Sequence, residues 1–206
     1  IDPDVLEAIN DVLPTERNLD LDVAAAAIST ALSNHRKAAP DITTEQELIH
    51  AIHHGTRLSN AGQRQKALVE AKKAFTIARG RVGDATDARS VAVAMTQADL
   101  GVCLAELNRY EEALPVLEEA CDLYRRLTED NSDHLSAYAL SLTNLGACLT
   151  ALRKSENAII STKKAIALYR QLGRANPGTY QSELAASLTN LAALLSDLGY
   201  HGEALV

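Results

Sequence analysis

Apolar residues recur along most of the chain at the spacing of amphipathic helices. Leu100, Leu104 and Leu107 are four and three residues apart, which places them on one face of a helix. A second stripe with helical spacing follows it: Ala113, Leu117, Ala120 and Tyr124. The two stripes predict a pair of antiparallel helices that bury these faces against each other.

This pattern repeats with a period of 45–46 residues. Ser141-Leu142-Thr143-Asn144-Leu145 recurs as Ser187-Leu188-Thr189-Asn190-Leu191, 46 residues later. Small residues keep one register, in which the second member of each pair comes twelve positions after the first: Gly55 and Ala67, Gly101 and Ala113, Gly146 and Ala158, Ala192 and Ala204. The period therefore predicts repeated helical hairpins whose two helices approach closely.

One position in each repeat falls between the two helices: Gly62, Asn108, Arg153 and Gly199. Glycine and asparagine tolerate the left-handed backbone conformation that commonly ends a helix. Three of the four positions therefore predict a tight turn between helices, and Arg153 is the exception.

The repeat register also divides the chain. We predict a hairpin in each of residues 44–88, 89–133 and 134–178, and a truncated unit in 179–206. Residues 1–40 do not hold the register, and we expect a degenerate helical hairpin there, either a cap on the first repeat or the tail of an upstream domain. The chain begins without Met and stops inside a helical pattern, so we expect a fragment of a longer protein.

The combination of residues resembles the tetratricopeptide repeat. Leu100-Gly101 and Leu145-Gly146 each have an alanine twelve residues after the glycine and another seven residues later, and the likeness covers roughly residues 44–206. The usual repeat has 34 residues, and the longer period here is similar to that of kinesin light chains and of repeat arms in bacterial and fungal signalling proteins. The resemblance implies an all-α fold, a right-handed superhelical solenoid of antiparallel helix hairpins, which binds protein or peptide segments in a concave groove.

Composition and charge narrow the possible partners. The net charge is −7, whereas nucleic-acid binding needs a basic footprint, so we expect no nucleic-acid partner. The sequence has neither 18 consecutive apolar residues nor the apolar segment of a signal peptide, so we expect no membrane partner and a cytoplasmic protein. Cys103, Cys121 and Cys148 lie inside apolar helical patterns without metal-ligand spacing, which indicates small buried thiols in a reducing compartment.

No motif for catalysis is found in the sequence. It contains no phosphate-binding glycine loop, nucleophile elbow or dinucleotide fingerprint, and we do not expect an enzyme. His50, His53 and His54 have a spacing that can bind zinc, but no cysteine or suitable carboxylate accompanies them. We therefore expect neither a metal nor a cofactor, and we expect His54 to replace a core leucine.

The exposed side of each first helix is the place where a solenoid of this kind binds a partner. In the tetratricopeptide family, an asparagine just before the core leucine commonly binds a peptide backbone or terminal carboxylate, and the resemblance implies this role for Asn144 and Asn190. Asp99 and His53 occupy the same position and depart from the pattern. We call the predicted groove the first-helix face, and it consists of His53, Thr56, Asn60, Met95, Asp99, Val102, Glu106, Asn144, Ala147, Asn190, Ala193 and Asp197.

The charges on the first-helix face indicate the chemistry of the partner. The face contains no Lys or Arg, so we do not expect the carboxylate clamp with which some family members hold chaperone tails. Asp99, Glu106 and Asp197 favour a partner segment that is partly apolar or carries basic groups. An alternative without any ligand is that Asn144 and Asn190 cap or bridge adjacent hairpins.

Two hypotheses for function follow. The first is a protein- or peptide-binding module of a larger signalling or scaffold protein. The alternative is a self-association module that oligomerises its parent protein through an exposed repeat end around Leu191, Leu195 and Leu198.

Overall fold

A computed structural model describes residues 3–13, 21–36, 43–80 and 87–200 of the chain. Within these ranges the protein forms nine α-helices and no β-strand: α1 (Pro3–Val12), α2 (Asp22–Arg36), α3 (Thr44–Asn60), α4 (Arg64–Gly80), α5 (Asp87–Glu106), α6 (Tyr110–Asp130), α7 (Leu135–Ala151), α8 (Ser155–Ala175) and α9 (Gln181–Asp197). A short 3₁₀ turn, Ser132–His134, lies between α6 and α7. The prediction of an all-α fold built from helical hairpins is confirmed.

The helices group into two compact units, residues 1–84 and residues 85–206. In the N-terminal unit, α1 packs on α2, α2 on α3 and α3 on α4. In the C-terminal unit, α5 to α9 pack in the same sequential order, and the first helices α5 and α7 also touch directly. Each helix thus packs mainly against its neighbours in sequence, as the helices of a repeat protein do.

All four predicted turn positions adopt the left-handed conformation, with φ of 72° at Gly62, 57° at Asn108, 59° at Arg153 and 81° at Gly199. The amide of the next residue donates to the carbonyl five residues back in each turn, as Gln63 does to Leu58 at 2.8 Å and Lys154 does to Leu149 at 2.9 Å. This is the Schellman motif, which satisfies carbonyls at a helix end. Arg153 therefore forms the same turn as the other three, although its residue type does not favour it.

The predicted apolar stripes form the core of the C-terminal unit. Leu104 is 4% exposed, and the answering Ala113 and Leu117 are fully buried. The third repeat buries the equivalent stripes, with Leu145 and Leu149 facing Ala158 and Ala165. The stripe on α9 is less covered, since Leu191 is half-buried and Leu198 is exposed.

The glycines of the register differ in how closely the second helix of the hairpin packs against them. A methyl group added at Gly101 would lie 2.6 Å from Cγ and Cδ2 of Leu117, whereas one added at Gly55 would lie 3.4 Å from Cβ of Glu70, an ordinary contact. At Gly146 the nearest atom would be Oγ1 of Thr162 at 3.0 Å. Close approach of the two helices therefore requires glycine most strictly at Gly101.

Buried polar side chains occupy the core of the N-terminal unit. His54 and Arg57 on α3 are each 4% exposed, which confirms that His54 replaces a core leucine. Nη2 of Arg57 donates to the carbonyl of Asn10 at 2.7 Å and to that of Leu13 at 3.4 Å. These bonds join α3 to the C-terminal end of α1, where a positive charge is favoured by the helix dipole.

The helix α3 begins with a capping box. The Thr43 hydroxyl accepts a hydrogen bond from the Gln46 amide at 3.3 Å, and the Gln46 side chain accepts one from the Thr43 amide at 3.1 Å. This reciprocal pair satisfies amides at the helix start. The start of the first repeat is therefore defined locally by the sequence.

The division of the chain into repeat units stays a prediction. Helices α1 and α2 lie in the region expected to form a degenerate hairpin, and α2 packs on α3. Ala204, which extends the alanine register into the fourth repeat, lies outside the described residues. The role of residues 1–40, as a cap or as the tail of another domain, likewise stays a prediction.

Cys103, Cys121 and Cys148 are free and buried, in agreement with the expectation of small buried thiols. Burial raises the pKa of Cys103 and of Cys121 to about 12, so the reactive thiolate form is negligible at neutral pH. Among the described helices, none combines the length and the apolar character needed to cross a bilayer.

Candidate functional site

The twelve residues of the first-helix face all keep some solvent exposure. His53, Thr56 and Asn60 belong to the N-terminal unit, and the other nine lie on α5, α7 and α9 of the C-terminal unit. Asn60, Val102 and Asn144 are half-buried, and the remaining nine are exposed. The first-helix face thus stays accessible while the leucines next to it form the core, although nothing bound to it is observed and its role stays a prediction.

Asp99 is the residue of this face with the most altered acidity. Solvent reaches its side chain, but the surrounding helices replace much of the bulk water near the carboxyl group. This desolvation raises the pKa of Asp99 to about 6. A carboxylate that is costly to ionise gains from a nearby positive charge, so a basic partner group would favour its ionised form.

A cleft of about 240 Å³ opens between α7 and α9, with α8 at its floor. We call it the α7–α9 cleft. It contains four residues of the first-helix face, Ala147, Asn190, Ala193 and Asp197, and is completed by Thr143, Gly146, Thr150, Thr162, Ser187 and Leu194. Only Asp197 carries a charge among these lining residues, so the cleft has a single negative charge beside mixed polar and apolar groups.

The hydroxyl groups of this cleft were not predicted from the sequence. Ser187 and Thr143 belong to the recurring Ser-Leu-Thr-Asn-Leu segments, so that recurrence was the available signal. Thr162 stands at a position where the preceding repeat has Leu117, and this change from apolar to polar was a second signal. Neither signal says that the hydroxyls face one cleft, because that depends on how α8 packs behind α7 and α9.

The two asparagines of the predicted peptide contact differ in their surroundings. Asn190 is exposed and lines the α7–α9 cleft, whereas Asn144 is half-buried and does not line it. Among the described residues, no hydrogen bond from either side chain to another protein group is present. Both amides are therefore available for a ligand, and the cap-or-bridge alternative has no bond to support it there.

Two of the histidines on α3 lie in a cluster with side chains of α2 and α4. His54 Nε2 lies 3.2 Å from Thr30 Oγ1 on α2, and His54 Nδ1 lies 3.6 Å from Glu70 Oε1 on α4. His50 stacks on His54 with ring centroids 5.8 Å apart. The interaction with His54 lowers the pKa of Glu70 below 4.5. Glu70 is remote in sequence from these histidines, and the packing of α4 brings it beside His54.

This cluster joins α2, α3 and α4. Among the described residues, no group of three or more His, Cys, Asp or Glu side chains has an arrangement that could hold a metal ion. The third histidine, His53, points to the exposed side of α3.

The comparison with known proteins agrees with this geometry. Residues 93–135, which cover most of α5 and α6, match the family model described as tetratricopeptide repeat. The chain has a tetratricopeptide-type repeat fold. The expected resemblance, drawn from the leucine, glycine and alanine register, is confirmed. No curated protein matches the chain in sequence.

Solved structures extend the fold assignment beyond the matched repeat. The apo form of RapI is similar with a TM-score of 0.70 and 16% identity, over 89% of this chain and 60% of that one. A putative kinesin light chain from Podosopora anserina with nearly identical TPR-like repeats has a TM-score of 0.67 and 15% identity, over 99% of this chain and 92% of that one. The Rap conjugation gene regulator of the plasmid pLS20, in complex with the Phr* peptide, has a TM-score of 0.64 and 15% identity, over 90% and 46% of the two chains.

These similarities establish the tetratricopeptide-type fold. The identities of 15–16% are too low to transfer a ligand or an activity. The chain also spans only 60% of the length of RapI and 46% of the pLS20 regulator.

Proposed function

We propose that the chain is a protein- or peptide-binding module of a larger signalling or scaffold protein that acts in the cytoplasm. The partner segment lies along the nine residues of the first-helix face that belong to the C-terminal unit, and the module performs no chemistry on it. The observation that carries the proposal is the α7–α9 cleft, in which the structure brings together Ala147, Asn190, Ala193 and Asp197. The Phr* peptide complex of the pLS20 regulator supports it, because that protein shares the fold.

The mechanism is presentation of a pre-formed surface. The leucine and alanine stripes hold the helices of each unit rigidly, so the polar groups of the first-helix face are ordered before a partner arrives. Pre-organisation of this kind reduces the entropy lost on binding. Small residues such as Ala147 and Ala193 leave room for a peptide backbone, and Asn190 can both donate to it and accept from it.

The acidic groups select among partners. Asp99, Glu106 and Asp197 belong to the C-terminal unit and give its part of the first-helix face a negative charge, since that part contains no Lys or Arg. Complementary charges mainly increase specificity and the rate of association. We therefore expect a basic or partly apolar segment, and weaker binding at higher salt concentration.

The test is selection of random displayed peptides on the full chain, followed by affinity measurements with the selected peptides. We expect Asn144→Ala combined with Asn190→Ala to weaken binding by about tenfold or more, since two amide hydrogen bonds are lost. Asn157→Ala is the matched control, because Asn157 is exposed on the second helix α8. Unchanged affinity in the double variant, or selection of no peptide at all, contradicts the proposal.

A second candidate, self-association, is favoured by one observation. A mainly apolar groove of about 480 Å³ lies between α8 and α9, and its lining consists of Leu188, Leu191, Leu195, Ile166 and Ala167 with Lys163 and Arg170. In the preceding repeat the equivalent leucines, Leu142, Leu145 and Leu149, are buried beneath α8. Such a groove accepts a helix with small residues on one face, which a second copy of the chain could supply.

Sedimentation equilibrium over a wide range of protein concentration distinguishes this candidate. Self-association predicts an oligomer that Leu191→Glu dissociates, whereas Leu140→Glu, at an exposed leucine of α7, leaves it intact. A chain that stays monomeric throughout and binds a selected peptide supports the first function alone.

A further inference from the structure

The α7–α9 cleft contains a buried hydroxyl group whose bonding the fold leaves incomplete. Ser187 is 1% exposed and lines the cleft. Its Oγ has no hydrogen-bond partner among the described residues. Leaving a buried polar group unpaired costs about 1–3 kcal/mol, so such groups call for an explanation, and a ligand that supplies the missing bond is one.

The threonine hydroxyls of the cleft already donate hydrogen bonds to backbone carbonyls of their own helices. Thr150 Oγ1 donates to the Gly146 carbonyl at 2.8 Å, and Thr162 Oγ1 donates to the Ala158 carbonyl at 2.8 Å. A hydroxyl that donates back to its own helix presents only lone pairs to its surroundings. Together with the Asp197 carboxylate, these two threonine hydroxyls therefore offer acceptors to a ligand, and the matching ligand group is a donor.

The arrangement along α9 indicates the size of the ligand. Ser187 and Asp197 are ten residues apart on one helix, so they are separated by about 15 Å along its axis. About four to five residues of an extended peptide span this distance.

We infer that the α7–α9 cleft is a subsite for an extended basic peptide segment. The ammonium or guanidinium group of a Lys or Arg side chain lies against Asp197 and Thr150, and a peptide carbonyl about four residues away accepts a hydrogen bond from Ser187. This inference rests on the proposed function and specifies its ligand. The charge-assisted contact at Asp197 supplies specificity, and the Ser187 bond fixes the register of the segment.

Ser187 gives a test in which folding and binding move in opposite directions. We expect Ser187→Ala to keep or slightly raise the free energy of unfolding, because an unpaired hydroxyl is removed. The same variant should weaken binding of selected peptides by about fivefold to tenfold. A serine with a purely structural role predicts the reverse, a loss of stability and unchanged affinity.

Asp197 gives a test of the ligand charge. Peptides selected from a random displayed library on the full chain should be enriched in Lys or Arg at one position. Replacing that residue with Met in the peptide, or Asp197→Asn in the protein, should each weaken binding by about tenfold, and the two changes together should cost little more than one. Glu183→Gln, an exposed acid on α9 outside the cleft, is the control and should leave affinity unchanged.

The outcomes separate this inference from the proposed function. Peptides that bind and respond to Asn144→Ala with Asn190→Ala, but not to Ser187→Ala or Asp197→Asn, overturn the subsite and leave the peptide-binding function intact. Selected peptides without a basic position overturn it as well. Failure to select any peptide contradicts the proposed function itself.

Discussion

The first and second repeats use the same backbone frame with different cores. In α3, His54 and Arg57 occupy positions where α5, 46 residues later, has Leu100 and Cys103. At these two positions the N-terminal hairpin makes hydrogen bonds and charged contacts to α1, α2 and α4 in addition to its buried leucines and alanines, whereas the next hairpin has apolar side chains there. The repeat register therefore specifies where two helices meet, but the side chains at that contact can be either polar or apolar.

Removing one side chain from the polar contact of α3 should lower the free energy of unfolding more than removing the equivalent apolar side chain of α5. Arg57→Ala removes the bonds to the Asn10 and Leu13 carbonyls and leaves them buried near a cavity. We expect a loss of about 3 kcal/mol in the free energy of unfolding, measured by urea unfolding with circular dichroism. Cys103→Ala, at the equivalent apolar position, should cost only about 1 kcal/mol.

Arg57→Met separates the two contributions of this side chain, because Met keeps most of the stem but none of the donors. If Arg57→Met is nearly as stable as the original chain, the hydrogen bonds to α1 do not hold the hairpin and the contrast between the repeats is lost.

Close apolar contact is tested by adding one methyl group in each repeat. Gly101→Ala places Cβ 2.6 Å from two atoms of the fully buried Leu117, and we expect a loss of about 1–3 kcal/mol. Gly55→Ala has only ordinary contacts, so the higher helix propensity of alanine should stabilise the chain by about 0.5–1 kcal/mol. Thermal unfolding of both variants checks the opposite signs, and equal effects would mean that the two hairpins are packed alike.

Acid should weaken the N-terminal unit through Glu70. Its pKa is below 4.5 in the folded chain, so the unfolded chain binds more protons when the pH falls through this range. The stabilisation by Glu70 is therefore complete above about pH 4.5 and is lost at lower pH. We expect Glu70→Gln to cost about 1 kcal/mol at neutral pH and to flatten the acid dependence. Hydrogen exchange of the α3 and α4 amides between pH 3 and pH 7 measures both the loss of stability and its pH dependence. Glu45→Gln, at an exposed residue, is the control.

Asp99 in the C-terminal unit should give the opposite pH dependence, a stability that falls as the pH rises. Its pKa is raised from 3.8 to about 6, so the folded chain binds the extra proton and stability falls as the pH rises through this window. Asp99→Asn should therefore stabilise the chain at pH 7.5 but not at pH 3.5. Because solvent reaches this side chain, we expect less than the ~1.4 kcal/mol per pKa unit of a fully buried group. Melting temperatures that change equally at both pH values would contradict this.

The smallest expected effect concerns the turn between α7 and α8. Arg153 is in the left-handed conformation, which costs a non-glycine residue about 1–2 kcal/mol, while glycine gains entropy in the unfolded chain. Arg153→Gly should therefore stabilise the chain by about 0.5–1 kcal/mol. Arg153→Ala keeps the strain and serves as the control; if both variants unfold at the same temperature, the turn is not strained.

The position of the hairpins could be predicted from the sequence, because helical spacing and repeat period act locally. Leucines three and four residues apart must share a helix face, and alanine at Ala113 or Ala158 must meet a neighbouring helix closely. The same reasoning located the exposed first-helix face and the turns at Gly62, Asn108 and Gly199.

Only the tertiary structure decided which of these positions interact. Arg153 takes the turn conformation because the helices on either side impose it, against its own preference. Glu70 of α4 reaches His54 of α3, and Thr162 of α8 shares one cleft with Ser187 and Asp197 of α9, because the packing of separate helices brings these residues together. Contacts of this kind depend on how the helices pack in three dimensions. The repeat period in the sequence predicts where the helices lie along the chain but not which side chains meet.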